Sequence, residues 1–165
     1  MSFEAEIAED VTKFGWSCAD VSDGQPPFAY SIGLMQTVAH PELIVFGLNR
    51  RIARRLLGAI VQRIRDGEQF DSAEVQTIRF GDHDSRIAFR NVHLTQHPLY
   101  LGYAMGYCRE SGLPGEFAAL QVFWPDQQDR FPFDVGFDSE LSNLQPRLDI
   151  PLTPREIREF ERQFE

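Results

Sequence analysis

Lysine is almost missing from this chain of 165 residues: Lys13 is the single lysine among 16 basic residues, set against 25 acidic ones. The formal charge of -9 would repel a phosphate backbone, whose binding depends on clustered Lys and Arg, so nucleic acid is not an expected partner. Cysteine is nearly as scarce. Cys18 and Cys108 lie in no Cys-x-x-Cys pair and no metal-ligand spacing, which fits reduced thiols in a cytoplasmic protein. The opening Ser2-Phe-Glu-Ala-Glu-Ile has neither a basic nor an apolar leader region, and no later apolar run approaches a membrane span. Neither export nor membrane insertion is expected. Gly-rich phosphate loops, the Gly-x-Ser-x-Gly elbow and the Asp-x-Asp-x-Asp-Gly calcium pattern are also missing. The sequence therefore supports no nucleotide, no other cofactor and no metal site.

What the chain does have is apolar mass: 42% hydrophobic residues, 12% aromatic, and 14 phenylalanines. That is enough for one sizeable core, and a single domain over residues 1–165 is expected. The spacing of Phe3, Ile7, Val11 and Phe14 predicts a first helix with Ser2 as N-cap and Gly15 at its exit. Residues 16–21 and 28–32 read as a hairpin around the turn-forming Ser22-Asp-Gly-Gln-Pro-Pro27, and 42–47 as a buried strand. Asn49 caps a helix over 50–66 in which Ile52, Leu56, Leu57, Ile60, Val61 and Ile64 form one stripe and arginines occupy much of the rest. Strands are predicted over 75–80 and 86–94, a helix from His97 to Gly112, and a strand over 117–124. Residues 135–152 are irregular. Thr153-Pro154-Arg155-Glu156 has capping-box spacing, so a terminal helix over about 154–164 should turn Ile157, Phe160 and Phe164 inward. Strands that come as hairpins between helices predict an α+β domain with a mainly antiparallel sheet, packed by the arginine-rich helix and by the N- and C-terminal helices.

Two polar inserts interrupt the apolar pattern. Phe28-Ala-Tyr-Ser-Ile-Gly-Leu34 is followed by His40-Pro-Glu-Leu43, and Trp124-Pro-Asp126 by Phe131-Pro-Phe-Asp134. Together they resemble the signature of an uncharacterised bacterial family catalogued as domain of unknown function 4262. In that family an aromatic-Tyr-Thr-Ile-Gly-Leu element precedes His-Pro-Glu-Leu, and Trp-Pro-Asp precedes aromatic-Pro-aromatic-acid. The likeness runs from about Phe14 to Asp134, with Ser31, Arg130 and Phe133 standing where Thr, Gly and Trp are usual. It implies a family and no chemistry.

The first insert places an imidazole and a carboxylate at the mouth of a buried strand, where His40 and Glu42 can serve as base and orienting partner or as two metal ligands. The other reading is a loop turn with Glu42 paired to an arginine such as Arg90. In the second, Asp126 and Asp134 form either an acid/base pair, two ligands of a hard cation, or a turn cap and an ion pair. The candidate catalytic residues are therefore His40, Glu42, Asp126 and Asp134, with Tyr30, Arg90 and Trp124 added as ligand-binding walls. Asp82-His83-Asp84, His93 and His97 resemble a metal cluster, but a strand over 86–94 would hold His93 and His97 roughly 13 Å apart, too far to share one ion. Cys108 reads as a small buried hydrophobe, and the arginine helix as an anion site, an acidic-partner face, or a solvated surface.

Two functions follow as expectations. One is a cytoplasmic module that binds a small molecule or a protein of unknown identity, in the manner of immunity or antitoxin proteins. The other is a small hydrolase- or transferase-type enzyme whose pocket joins His40 and Glu42 to Asp126 and Asp134. Whether any catalysis occurs stays open at this point.

Overall fold

The computed structural model describes residues 2–165. Helix α1 (Phe3–Phe14) starts where the Ser2 hydroxyl accepts the Ala5 N–H at 3.1 Å and ends at Gly15, whose φ of +83° returns its own N–H to the Val11 carbonyl. Strands β1 (Ser17–Val21) and β2 (Phe28–Ile32) form the expected hairpin, with Ala19 opposite Tyr30. A short helix, α2 (Leu34–Val38), then fills the insert before β3 (Glu42–Phe46). Asn49 caps α3 (Arg50–Arg65), its side-chain oxygen accepting the Ile52 N–H at 2.9 Å. Next come β4 (Val75–Phe80), β5 (His83–Asn91), α4 (His97–Tyr100), α5 (Gly102–Glu110), β6 (Ala119–Phe123) and α6 (Pro154–Arg162).

The strands make one sheet of six in the order β1-β2-β3-β6-β5-β4; β3 and β6 run parallel and the remaining neighbours antiparallel. The fold is therefore α+β with a mixed, mostly antiparallel sheet. Side chains alternate across it, as pleating requires. Ala29, Leu43, Val45, Phe89, Leu120 and Val122 face α3, which answers with Leu56, Leu57, Ile60 and Val61. Tyr30, Ile32, Ile44 and Phe46 face the other way, against Ile7 and Val11 of α1 and Leu101 and Ala104 around α5.

The irregular segment after β6 is tied down by two buried glutamines. Gln121 donates to the Pro146 carbonyl at 2.6 Å and accepts the Leu148 N–H at 3.0 Å, while Gln145 accepts the Trp124 N–H and donates to its carbonyl. His93 N–H to Leu148 and Gln96 to Ile150 extend the strap along the same side. Gln121 and Gln145 each use both the donor and the acceptor end of the amide, so side chains take the place of a ladder along this irregular segment.

Several expectations are corrected by packing. Phe3 and Phe14 of α1 are exposed, leaving Ile7 and Val11 as its buried pair, and in α3 Ala53 takes the buried place expected for Ile52. Residues 83–85 belong to β5, because the turn is only Gly81-Asp82 between the paired Phe80 and His83. The helix expected from His97 to Gly112 breaks at Leu101 into α4 and α5. The capping box of α6 forms as expected, yet Ile157 and Phe160 are only half-buried and Phe164 is exposed, so the cap and the local sequence build that helix with little help from packing. Substituting Gln121→Ala should remove roughly 2–4 kcal/mol of stability, since it strands the Leu148 N–H and the Pro146 carbonyl. Chemical denaturation, compared with the exposed control Gln127→Ala, checks this.

Candidate functional site

The centre of the first insert is a carboxyl group. Glu42 opens β3 and is 5% exposed. One of its oxygens accepts the Ser31 hydroxyl at 2.8 Å and the Leu34 N–H at 3.3 Å, and the other accepts the Gly33 N–H at 2.9 Å. Ser31 in turn accepts the Leu43 N–H at 2.8 Å, so its hydroxyl bridges two strands. Gly33 holds φ at +102°, and a Cβ on it would lie 2.8 Å from a Val11 methyl, so the turn that offers its N–H to Glu42 demands glycine.

Burial raises the Glu42 pKa from 4.5 to about 7, against the pull of the Ser31 hydroxyl and of the Gly33, Leu34 and Met35 N–H groups, which favour the charged form. These are all neutral donors, and among the described residues no Lys, Arg or His lies within ion-pair distance of this carboxyl. The same carboxyl forms part of the wall of a cavity of about 150 Å³. Ile32, Ala104, Leu113, Pro114 and Phe117 supply its apolar surface, and Tyr107, Cys108 and Glu116 sit among them. The segment joining α5 to β6 closes one side. Burial, then the nearby Glu42 charge, pushes the Cys108 thiol up, and burial also raises Tyr107, whose hydroxyl is bonded to Gln36.

The other expected site residues stand elsewhere. His40 is buried, and its Nε2 accepts the Phe70 N–H at 3.0 Å; an acceptor there puts the proton on Nδ1, which donates to the Pro41 carbonyl at 2.9 Å. Its ring meets Phe70 edge-on in the core beneath α3, whereas Glu42 lies against α5. The imidazole thus fastens the segment after α3, and both of its nitrogens are engaged in doing so. Tyr30 accepts the Tyr103 N–H at 3.0 Å and so caps α5 from a strand, since Leu101 provides no side-chain cap; burial raises its phenol pKa. It also touches an open groove of about 460 Å³ beside Tyr100 and Arg109.

Trp124 donates to the Phe46 carbonyl at 2.7 Å, at the far end of β3 from Glu42. Glu42 pairs with Ala119 at the start of the parallel ladder, and four residues of β6 at about 3.3 Å each put the 124–134 loop at least ~13 Å further on. His40, Glu42, Asp126 and Asp134 are consequently not brought into one pocket. Asp126 accepts four bonds, from the Gln128, Arg130 and Asp138 N–H groups and the Arg130 side chain, at 2.9–3.1 Å. Burial alone would raise its carboxyl, but those donors outweigh it and hold the pKa below its ordinary value. Asp134 is exposed and accepts the Phe131 N–H at 2.8 Å within a turn. Arg90 stacks on the Phe133 ring, its guanidinium carbon 4.0 Å from the centroid, and does not pair with Glu42. His93 caps the turn before α4, while His97 is buried against Phe117 with its Nε2 unpartnered, the single such side-chain atom among the described residues. Among the described residues no group of three or more His, Cys, Asp or Glu can hold a metal.

The Glu42 carboxyl should leave a mark on stability. The folded protein holds its proton more tightly than the unfolded chain, so this group's contribution is complete below about pH 4.5 and is lost as pH rises through about 7. The loss amounts to roughly 3 kcal/mol. Urea titrations from pH 4 to 8 should show the stability of the wild type minus that of Glu42→Gln falling by that order; a difference that rises with pH contradicts the assignment.

No helix among the described residues is long and apolar enough to cross a membrane. Comparison with curated proteins and with solved structures returns no match. The sequence pattern of one family, described as Domain of unknown function (DUF4262), matches residues 10–138. That span holds all six strands, Glu42 with the whole cavity lining, and the Trp124–Asp134 loop, and stops before the glutamine-bound strap and α6. On a match over most of its length, the chain belongs to the DUF4262 family.

Proposed function

We propose that the protein is a small-molecule-binding module and that its ligand enters the cavity beside Glu42. The observation that carries this reading is a buried carboxyl with only neutral donors in the wall of a partly open, largely apolar pocket. Ligand sites commonly combine apolar walls with a few placed polar groups. A cavity of about 150 Å³ lined by apolar side chains accepts a molecule the size of benzene. Binding is favoured over turnover because the cavity lacks an activated nucleophile. Its thiol is pushed up, and its phenol is raised too. The imidazole expected to act with Glu42 is engaged at both nitrogens on the α3 side.

A blocked cavity tests the reading. Cys108 is half-buried in the cavity wall, so Cys108→Phe should fill the space with little change in fold stability. In a thermal-shift screen of molecules with about six heavy atoms, a ligand at a hundred times its dissociation constant adds about 2.7 kcal/mol, a rise of roughly 5–10 °C in Tm. Wild type should show this response with some members of the set and Cys108→Phe with none. Equal responses from both proteins would remove the cavity as the site.

A further inference from the structure

We infer that the ligand is a small apolar amine, held as its ammonium ion with Glu42 as counter-ion; this rests on the reading of the cavity as the ligand site. The charge inventory of the molecule carries the inference. Other acids of the molecule do have an arginine: Asp20 has Arg50 and Arg54, Glu68 has Arg63, Asp129 has Arg86, Asp126 has Arg130 and Asp149 has Arg147. Even Asp126, with its side chain fully buried, has its guanidinium. Glu42 is as deeply placed and has none. The cavity lining holds two acids, Glu42 and Glu116, and no Lys, Arg or His, so a cation is the charge missing from it.

Size and solvation narrow the class. The volume of about 150 Å³ admits a body of about six heavy atoms, and Ile32, Ala104, Leu113 and Phe117 ask for that body to be apolar. Forming a buried ion pair usually requires both charges to lose water, which often cancels the gain. Here folding has already taken the carboxyl out of water, so once it is ionised the amine adds only its own desolvation. A carboxylate ligand would meet like charge, and a neutral alcohol would leave the carboxylate unbalanced. The ammonium enters with its proton; Glu42, when protonated, releases one proton to solvent on binding, and charge is conserved.

Isothermal calorimetry with three isosteric probes, isopentylamine, isopentyl alcohol and isovalerate, tests the inference. The amine should bind at least tenfold more tightly than either. Near pH 6, titrations in buffers of different ionisation heat should show release approaching one proton per amine, dropping to none by pH 8.5. Affinity should rise by about tenfold between pH 5 and 6, by about fivefold between 6 and 7, and then level off, because the carboxyl must ionise first. Glu116→Gln, at the exposed rim, should weaken the amine by no more than about fivefold, while Glu42→Gln should abolish both the preference and the proton release. Should Glu42→Gln not fold, the buffer dependence of the wild type decides alone. Alcohol binding as tight as amine binding with no proton release overturns the amine assignment and leaves the cavity reading standing. If none of the probes binds and Cys108→Phe behaves as wild type in the wider screen, the cavity reading falls with it.

Discussion

The buried Glu42 carboxyl is the constraint on which this end of the molecule depends. It gathers the last turn of β2, the start of α2 and the first residue of β3 through Ser31, Gly33 and Leu34. The left-handed conformation of Gly33, and Val11 of α1 standing where a side chain would otherwise go, keep that turn to glycine. A carboxyl held this way makes three segments mutually dependent: the turn cannot relax without losing acceptors, and β3 cannot shift register without withdrawing the acid. The arrangement has an energetic cost, visible as a pKa near 7, and proteins tend to retain such costs where a site makes use of them.

The two ends of the parallel β3–β6 pair treat acids in opposite ways. At the far end, Asp126 is saturated by three N–H groups and Arg130, and Trp124 and Gln145 lock the strand exits to the strap. Phe131 and Phe133 then stack beneath Arg86 and Arg90, closing that end with aromatic and guanidinium surface. Among the described residues no buried side-chain polar atom at that end lacks a partner. At the near end, Glu42 has neutral donors only, and Phe117 of the cavity wall is backed by His97, whose Nε2 has no partner. Burial lowers the His97 pKa and so disfavours a positive charge on that ring. The asymmetry separates architecture from candidate function without reference to sequence motifs.

Most of the frame was legible in the sequence because it rests on local rules. Ser2, Asn49 and Thr153 cap the helices they were expected to cap, and the apolar stripe of α3 meets the sheet. The 28–49 and 124–134 motifs identified the family, and Glu42 was picked out as a polar residue at a buried strand. Its true neighbours were not foreseeable. Tyr107, Cys108, Glu116 and Phe117 lie far along the chain and reach Glu42 only through the parallel pairing of β3 and β6 and the folding of α5 across them. His40, two residues away, lies before β3 begins and packs on Phe70 in the opposite core, so adjacency in a motif misled about adjacency in space. The strap after residue 144 was opaque for another reason: side-chain amides hold it, and these leave no periodic trace.

The most direct test of the central claim is a carbon-13 titration of the Glu42 side-chain carboxyl in the ligand-free protein, repeated with isopentylamine present. A midpoint near 7 that moves downward on adding the amine is the result required by a buried carboxyl awaiting a cation. A midpoint in the ordinary range near 4.5, unmoved by the amine, would contradict it.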